Sequence, residues 1–259
     1  MAQLPLITRA LGKHYGPPRS LAPKDPFQLL MWEYVAYLAD ERTRASAFDA
    51  LKSTVGLRPS EVAAAPLPLL GAIARLGGSI AVPTRASRMR DVATTVLGKW
   101  RGSLKGVLRL PYAEARRALK AFPSIGPPGA DKILLLTGAR PILALDSNAL
   151  RVLLRLGYGR EHKNYATSYA SAQTAAMAEL PKTVPALRTA FLLLQRHGQE
   201  LCRRNAPQCT RCPVQRSCPF GGGARQDWRF HTPPTPNPGG RASAAFRACR
   251  RRAAREGRR

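Results

Sequence analysis

Four cysteines lie within seventeen residues near the C-terminal end of the sequence, at Cys202, Cys209, Cys212 and Cys218. Their spacing is Cys-x6-Cys-x2-Cys-x5-Cys, and the chain has only one other cysteine, Cys249. Four soft thiolates that a short loop brings to one point are what a metal centre requires. All-sulfur ligation suits zinc and an iron–sulfur cluster equally well, so the spacing by itself leaves both open.

Disulfide bonding is an alternative use of these thiols. The first twenty residues contain Pro5, Pro17 and Pro18 and no continuous apolar core, which is unlike a secretory signal. Stable disulfides are rare in proteins that are not exported. The cysteines are therefore predicted to bind a metal centre in a cytoplasmic protein.

The charge of the chain is strongly positive. Forty-two Lys and Arg stand against fifteen Asp and Glu, which gives a formal net charge of +27. Such an excess indicates nucleic-acid binding, although an arginine-rich genome accounts for part of it. The sequence has no run of 18 uncharged apolar residues, so no membrane span is predicted. We expect a cytoplasmic, nucleoid-associated protein.

The composition changes at residue 221, where a segment rich in Gly, Pro, Ala and Arg begins. Residues 221–259 contain ten arginines but only two acids, Asp227 and Glu256. They show little periodic apolar patterning, which predicts a disordered tail. Such a tail attracts phosphate groups without reading base sequence. The single cysteine in this segment, Cys249, is interpreted as incidental.

The sequence before this tail alternates between apolar helical segments and short loops that contain Gly or Pro. Phe27–Ala39 is one such segment, which Asp25 and Pro26 open as a helix cap and first turn. A longer segment, Pro185–Arg204, carries an apolar stripe and leads directly into the cysteine loop. No alternating strand pattern of useful length occurs. The predicted fold class is all-α.

A tight turn is predicted between two helices, the second of which starts near Pro128. The turn leaves backbone N–H groups unpaired at the start of that helix, where they and the helix dipole form a site for a DNA phosphate. The residues expected to contact DNA here are Ser124, Ile125, Gly126 and Gly129. Helical links that contain glycine are common, so the turn by itself is a weak signal.

Three features follow one another in order: the helical hairpin, Asp146 about 20 residues later, and the cysteine loop about 55 residues beyond it. This order, with the ungapped cysteine spacing, resembles the helix-hairpin-helix-GPD superfamily of DNA glycosylases, in its endonuclease III branch. The resemblance implies a monomer that binds double-stranded DNA containing a damaged or mismatched base. It also implies that the four cysteines ligate a [4Fe–4S] cluster.

The same resemblance implies two helical domains with a DNA-binding groove between them. Residues 25–137 would form a six-helix domain, whose helix-hairpin-helix spans about 115–137. Residues 1–24 and 138–220 would together form the iron–sulfur cluster domain, with 221–259 as the tail beyond it.

The catalytic aspartate of the family falls on Asp146. Cleavage of an N-glycosidic bond passes through a cationic, oxocarbenium-like sugar, which a fixed carboxylate stabilises. Capping of the helix that follows Asp146 is the alternative role, and the two roles are compatible.

Two positions of the hairpin depart from the family pattern. Pro128 stands where bifunctional members carry a lysine that attacks the sugar, and a proline within a chain has no free amine for this step. Water is therefore the expected nucleophile, and strand cleavage should be absent or weak. Lys132, one helical turn further, is interpreted as a helix-surface lysine, with a displaced nucleophile as the alternative. Ser124 replaces the first hairpin glycine, which is expected to alter the turn and weaken phosphate binding.

Further site residues are implied on the helix that starts at Pro26. Glu33 falls where mismatch-specific adenine glycosylases have a glutamate that protonates the leaving base, and burial would raise its pKa as this role requires. An exposed glutamate on the helix face is the alternative. Leu38 stands at the position of a glutamine wedge that fills the space of the flipped base, and the adjacent Tyr37 could stack there instead.

Near the cysteine loop, Arg203 and Arg204 are expected to contact DNA phosphates, and His197 to pack or hydrogen-bond and not to catalyse. The combined prediction is a monofunctional DNA glycosylase, in which Asp146 stabilises the transition state and Glu33 protonates the leaving base. A non-catalytic DNA-binding protein on a glycosylase scaffold is one alternative. A bifunctional glycosylase and lyase that uses Lys132 is the other.

Overall fold

Twelve α-helices and no strand build residues 4–222, the part of the chain that the computed structural model describes. The all-α prediction is therefore confirmed for this part. Cys249 and all of the predicted tail except residues 221 and 222 lie outside the described residues. In chain order the helices are α1 (Leu4–Tyr15), α2 (Pro26–Val35), α3 (Glu41–Thr54), α4 (Pro59–Ala64), α5 (Leu67–Leu76), α6 (Val82–Trp100), α7 (Lys105–Arg109), α8 (Tyr112–Lys120), α9 (Pro127–Leu136), α10 (Ser147–Arg155), α11 (Tyr165–Met177) and α12 (Val184–Glu200).

Short-range signals set where α2 begins. The Asp25 carboxylate accepts hydrogen bonds from the N–H groups of Phe27 at 2.9 Å and Gln28 at 3.1 Å. Pro26 occupies the first position of the helix, where its missing N–H group costs nothing. The predicted cap is therefore confirmed.

Helix α2 ends at Val35, four residues before the predicted end at Ala39. The last carbonyl groups of a helix have no partner within the helix. Here two arginines from other helices serve them: Arg44 donates to the carbonyl oxygen of Ala36 at 3.0 Å, and Arg85 donates to that of Val35 at 2.6 Å. Because these carbonyls are satisfied, the chain can turn away directly after Val35.

The helices pack in two neighbouring sets. Helix α6 packs against α2, α4 and α5, whereas α10 packs against α12, with α1 also on α12. The N–H group of Leu4 donates to Oε2 of Glu179 at 2.7 Å, which fastens the start of α1 to the segment after α11. Residues 4–222 lie within one compact unit, and the predicted division into two domains stays a prediction. No helix in this range is long and apolar enough to cross a membrane.

A buried carboxylate holds the hairpin against the rest of the molecule. Asp131 on α9 is fully buried and accepts hydrogen bonds from Tyr112 (3.0 Å), Arg116 (2.8 Å), Tyr169 (2.8 Å) and Gln173 (3.1 Å). A buried charge is tolerated when it is paired and hydrogen-bonded, and both conditions are met here. The network therefore fixes α9 between α8 and α11.

Candidate active site

Asp146 lies immediately before α10, and its two carboxylate oxygens have separate partners. Oδ1 accepts hydrogen bonds from the N–H groups of Asn148 at 3.0 Å and Ala149 at 2.8 Å, so the residue caps the helix. Oδ2 accepts a hydrogen bond from Nε2 of Gln195 on α12 at 2.9 Å. These contacts fix the orientation of a half-buried carboxylate. No sequence pattern identified Gln195, which reaches Asp146 only because α12 packs on α10.

A cavity of about 300 Å³ lies beside Asp146. Its volume is at the lower end of the range for small-molecule sites, about 300–1,000 Å³. The hairpin, the end of α2 and part of α6 contribute its other walls. Residues predicted to be functional that line it are Glu33, Tyr37, Ser124, Ile125, Gly126, Gly129 and Asp146. The fold thus brings together side chains from distant parts of the sequence.

Glu33 and Lys132 face each other in this cavity. Nζ of Lys132 lies 2.7 Å from Oε1 of Glu33, and the two side chains are only 19% and 20% exposed, respectively. The interpretation of Lys132 as a helix-surface lysine is therefore wrong. The alternative of an exposed Glu33 is wrong for the same reason.

The pKa of Glu33 is lowered, not raised as predicted. Burial by itself would raise the pKa of this carboxyl, but the positive charges of Lys132 and Arg44, with a hydrogen bond from Lys132, outweigh the effect of burial. Glu33 is therefore ionised at neutral pH in this arrangement. An ionised carboxylate accepts hydrogen bonds and has no proton to give, so this state does not provide the predicted acid for the leaving base.

The turn of the hairpin places a serine in a backbone conformation that favours glycine. Ser124 has a φ of 61°, in the left-handed region, where a side chain is unfavourable. Pro123 precedes this serine, and its carbonyl oxygen accepts a hydrogen bond from the hydroxyl of Tyr34 at 2.6 Å, which connects the turn to α2. The serine is thus held in a strained turn by its surroundings.

The start of α9 offers fewer N–H donors than predicted. Ile125 is buried, and its N–H group donates to the carbonyl oxygen of Phe122 at 3.1 Å. The two prolines that open α9 have no N–H group. The N–H group of Ile125 is therefore already bonded, so a phosphate at this position would depend on the N–H groups of Gly126 and Gly129, and the DNA contact of Ile125 stays a prediction.

Tyr37 and Leu38 project from the loop after α2, with 54% and 76% of their surfaces exposed. Arg85 connects this loop to the loop before α6, because it donates to the carbonyl oxygens of Val35 at 2.6 Å and Ile80 at 3.0 Å. Ile80 is itself 49% exposed and was not identified from the sequence. We call Tyr37, Leu38 and Ile80 the apolar tip: three exposed side chains on two loops that Arg85 connects.

A basic groove of about 1110 Å³ adjoins the cavity. Its arginines are Arg19, Arg42, Arg151, Arg196, Arg203 and Arg204, against three acids. Of these, Arg203 and Arg204 are exposed, as their predicted contact with DNA requires. The groove and the cavity are adjacent at two places. Tyr37 and Asp146 line the cavity, and the residues that follow them in the chain, Leu38 and Ser147, line the groove. The candidate active site therefore opens onto a positively charged surface.

The four cysteines of the loop, Cys202, Cys209, Cys212 and Cys218, border one small cavity of about 20 Å³. Burial raises the pKa of the Cys212 thiol to about 11, and it also raises the pKa of the Cys218 thiol. Within residues 4–222, no group of three or more His, Cys, Asp or Glu side chains is arranged to hold a metal ion. The four sulfur donors thus border the same cavity, but they are not grouped as closely as the ligands of a single metal ion.

Arginines of α10 fasten the cysteine loop to this helix. Arg155 is 2% exposed; it donates to the carbonyl oxygen of Arg203 at 2.8 Å, and its Nη1 lies 3.3 Å from Sγ of Cys202. Arg151 donates to the carbonyl oxygen of Cys202 at 2.9 Å. The loop backbone therefore depends on side chains of the helix that Asp146 caps.

His197 supports the same loop from α12. One ring nitrogen, Nδ1, lies 3.0 Å from the hydroxyl of Tyr15, and the other, Nε2, lies 3.5 Å from Sγ of Cys212. Burial lowers the pKa of His197 to about 4. The residue is therefore a neutral, buried hydrogen-bonding group, which fits the packing role expected of it.

The sequence matches no family model and no curated protein. The fold, in contrast, is similar to solved structures of DNA glycosylases. A trapped covalent complex of endonuclease III with DNA, an estranged-adenine complex, matches with a TM-score of 0.69 and 20% identity, over 87% of this chain and 100% of that chain. A thermostable thymine-DNA glycosylase matches with a TM-score of 0.67 and 16% identity, over 84% of this chain and 96% of that chain.

A third similar structure is the 3-methyladenine DNA glycosylase MagIII of H. pylori bound to 1,N6-ethenoadenine. It matches with a TM-score of 0.59 and 16% identity, over 77% of this chain and 99% of that chain. At such identities the similarity concerns the fold. The fold of this chain is that of the helix-hairpin-helix DNA glycosylases, as the order of its sequence features predicted.

Proposed function

We propose that this protein is a DNA glycosylase that flips a damaged or mispaired base out of a duplex and hydrolyses its N-glycosidic bond. One observation carries the proposal. Asp146, Glu33 and Lys132 line a single cavity, and that cavity opens onto a groove with six arginines and an apolar tip beside it. A base in the cavity would therefore have its sugar near Asp146 while the flanking strand lies along the groove.

Asp146 would act on the sugar as cleavage proceeds. When the bond between C1′ and the base nitrogen breaks, positive charge develops on the sugar, and a fixed carboxylate stabilises it. Gln195 and the helix cap hold this carboxylate in one orientation, so little reorganisation is needed in the transition state. Water then adds to C1′ and loses a proton, while the base leaves with the bonding electrons.

Monofunctional chemistry is the main form of the proposal, because Pro128 supplies no amine at the hairpin position. A bifunctional lyase is a second candidate, and one observation favours it. Lys132 lines the same cavity as Asp146, so its amine is near the place where the sugar would lie. Its ion pair with Glu33 engages this amine in another contact, which disfavours the lyase role.

DNA binding would combine three surfaces. The arginines of the groove, including Arg203 and Arg204, would neutralise phosphates, and Gly126 and Gly129 would donate N–H groups to one more. Leu38, with Tyr37 beside it, would occupy the space that the flipped base leaves. Binding as a monomer and association with the nucleoid stay predictions.

The cysteine loop would hold a [4Fe–4S] cluster. Four soft donors that border one cavity support a metal centre with sulfur ligands, and the ungapped cysteine spacing, which resembles that of the endonuclease III branch, favours a cluster over zinc. When bound by four thiolates, the cluster has no open coordination position and would serve to order the loop. Arg155 and Arg151 would then transmit that order to α10.

The proposed activity is tested by base release. The full chain is incubated with duplexes that carry uracil, oxidised pyrimidines, alkylated purines, hypoxanthine or mismatches, and products are analysed with and without hot alkali. Breaks that need alkali, and that are lost in Asp146→Asn but kept in the surface control Asp49→Asn, are expected. Tight binding by both proteins without any base release would instead indicate a non-catalytic DNA-binding protein.

Two further measurements separate the remaining candidates. Borohydride trapping on abasic DNA should give no covalent adduct; an adduct that disappears in Lys132→Ala would establish the lyase. The purified protein should be yellow-brown and contain about four iron atoms per chain. A colourless protein that contains zinc would contradict the cluster.

A further inference from the structure

We infer that the ion pair between Glu33 and Lys132 selects bases with a lactam edge, on which a ring N–H stands beside a carbonyl oxygen. Uracil, thymine and hypoxanthine have this edge. Adenine, cytosine and 1,N6-ethenoadenine do not. The inference rests on the proposed function and narrows its substrate class.

The pair is positioned to meet the edge of a base. Glu33 comes from α2 and Lys132 from α9, and Nζ and Oε1 lie 2.7 Å apart within the cavity that Asp146 also lines. About one fifth of the surface of each side chain is exposed, so the pair is partly buried. Tyr34, next to Glu33, fastens α2 to the hairpin through the carbonyl oxygen of Pro123. The two helices therefore hold the charges at a fixed separation.

The charges of the pair define what a base must offer. A carboxylate only accepts hydrogen bonds, and an ammonium only donates them. The lowered pKa of Glu33 keeps it in the accepting form at neutral pH. A lactam edge supplies its N–H to Glu33 and its carbonyl oxygen to Lys132, and the ammonium has two further N–H groups with which to do so.

An amidine edge, as in adenine and cytosine, has the reverse order. Its ring nitrogen would direct a lone pair at the carboxylate, and its amino group would direct N–H bonds at the ammonium. Polar groups that are left without a partner at such a partly buried pair are costly. Sites that hydrogen-bond one substrate reject the analogue with mismatched polar groups far more strongly than apolar pockets do.

The same contact would assist cleavage. As the bond to C1′ breaks, a lactam base leaves with negative charge that spreads onto its carbonyl oxygen. Lys132 donates to that oxygen and would stabilise the developing charge, on the opposite side of the bond from Asp146. No proton from Glu33 is needed in this scheme, which agrees with its ionised state.

The test compares matched bases in one duplex context. Single-turnover release is measured for uracil against cytosine, for hypoxanthine against adenine, and for 1,N6-ethenoadenine, each opposite the same partner base. Binding is measured in parallel with 2′-fluoro nucleotides, which resist cleavage, and with an abasic-site analogue that has no base edge. Lactam bases should be released, and bound more tightly than their amidine partners by about 10- to 100-fold for each hydrogen bond lost.

Substitutions of Glu33 and Lys132 test whether this ion pair causes the preference for lactam bases. Lys132→Met and Glu33→Gln should reduce the lactam preference by about 10-fold or more while leaving affinity for the abasic analogue unchanged, which also shows that the fold is intact. Lys52→Met removes a lysine that is exposed on α3 and should change neither measurement.

Three results would count against the inference. Faster release of adenine or 1,N6-ethenoadenine than of any lactam base would overturn it and leave the proposed glycosylase in place. Equal losses of abasic and lactam binding in Lys132→Met would show that the lysine serves the phosphate backbone or the fold. No release from any duplex would overturn the proposed function and the inference together.

Discussion

Nε2 of Gln195 donates a hydrogen bond to Oδ2 of Asp146 at 2.9 Å, although the two residues are 49 positions apart in the chain. Gln195 touches no reacting atom, so it is a positioning residue. In Gln195→Leu we expect base release at saturating enzyme to fall about 10-fold or more, because a charge-assisted hydrogen bond is lost. Affinity for an abasic duplex should stay the same, which a purely structural role would not predict. Asn148, whose side-chain amide lies 3.4 Å from Oδ2, should give a smaller loss as Asn148→Ala.

Asp131 should be a main determinant of stability. Four side chains from α8 and α11 donate to this fully buried carboxylate. Asp131→Ala leaves Arg116 without its partner, and removal of one member of a buried ion pair costs about 3–5 kcal/mol. Urea unfolding followed by circular dichroism measures this loss. The exposed Asp49→Ala should stay within about 0.5 kcal/mol of the parent, and a similar loss in both would refute the assignment.

Glu33 should not titrate in the working pH range. Its pKa is lowered, so it stays ionised from mildly acidic to alkaline pH, and protonation occurs only as the pH falls below the ordinary range of a glutamate. The rate of base release between about pH 5.5 and 8.5 should therefore show no ionisation that depends on Glu33. A step in that range that vanishes in Glu33→Gln would mean that DNA binding raises the pKa of Glu33, and would restore its role as the acid.

Ser124→Gly should stabilise the hairpin. The serine occupies a left-handed conformation with a φ of 61°, which costs a residue with a side chain roughly 1–2 kcal/mol relative to glycine. The greater freedom of glycine in the unfolded chain offsets part of this, so we expect a gain of about 0.5–1 kcal/mol in the free energy of unfolding. Thermal unfolding of the variant beside Ser53→Gly, a change in the exposed part of α3, tests it. The helical control should lose stability.

Arg203 and Arg204 should contribute affinity without base specificity. Both are exposed on the groove, and each phosphate contact adds about 0.9 to the slope of log affinity against log salt concentration. The double change to glutamine should lower that slope by about two and weaken damaged and undamaged duplexes alike. Arg75→Gln with Arg101→Gln removes the same charge away from the groove and should leave the slope nearly unchanged.

Local sequence signals predicted the beginnings of helices better than their ends. Asp25 and Pro26 define the start of α2 because a cap bonds residues only two or three positions away. Its end depends on Arg44 and Arg85, and Arg85 lies 50 positions from the carbonyl that it serves. No periodicity in the segment itself could reveal that the helix stops at Val35.

The candidate site shows the same division. Asp146 could be identified because it stands at a fixed distance from two motifs and caps the next helix. The pairing of Glu33 with Lys132 could not, since it depends on how α2 and α9 meet. Without that contact, burial was expected to raise the pKa of Glu33, whereas the neighbouring charges lower it. Gln195 was missed for a related reason, because an amide on a helix has no sequence signature.

Helix α10 is nine residues long, with Asp146 capping its first turn and Arg155 as its last residue, about 14 Å away along the axis. Arg155 holds the backbone of the cysteine loop. The helix therefore connects the cysteine loop at one end with the proposed catalytic carboxylate at the other. If the loop holds the proposed cluster, an oxidant that destroys the cluster would disturb the position of the Asp146 carboxylate without entering the proposed DNA-binding groove.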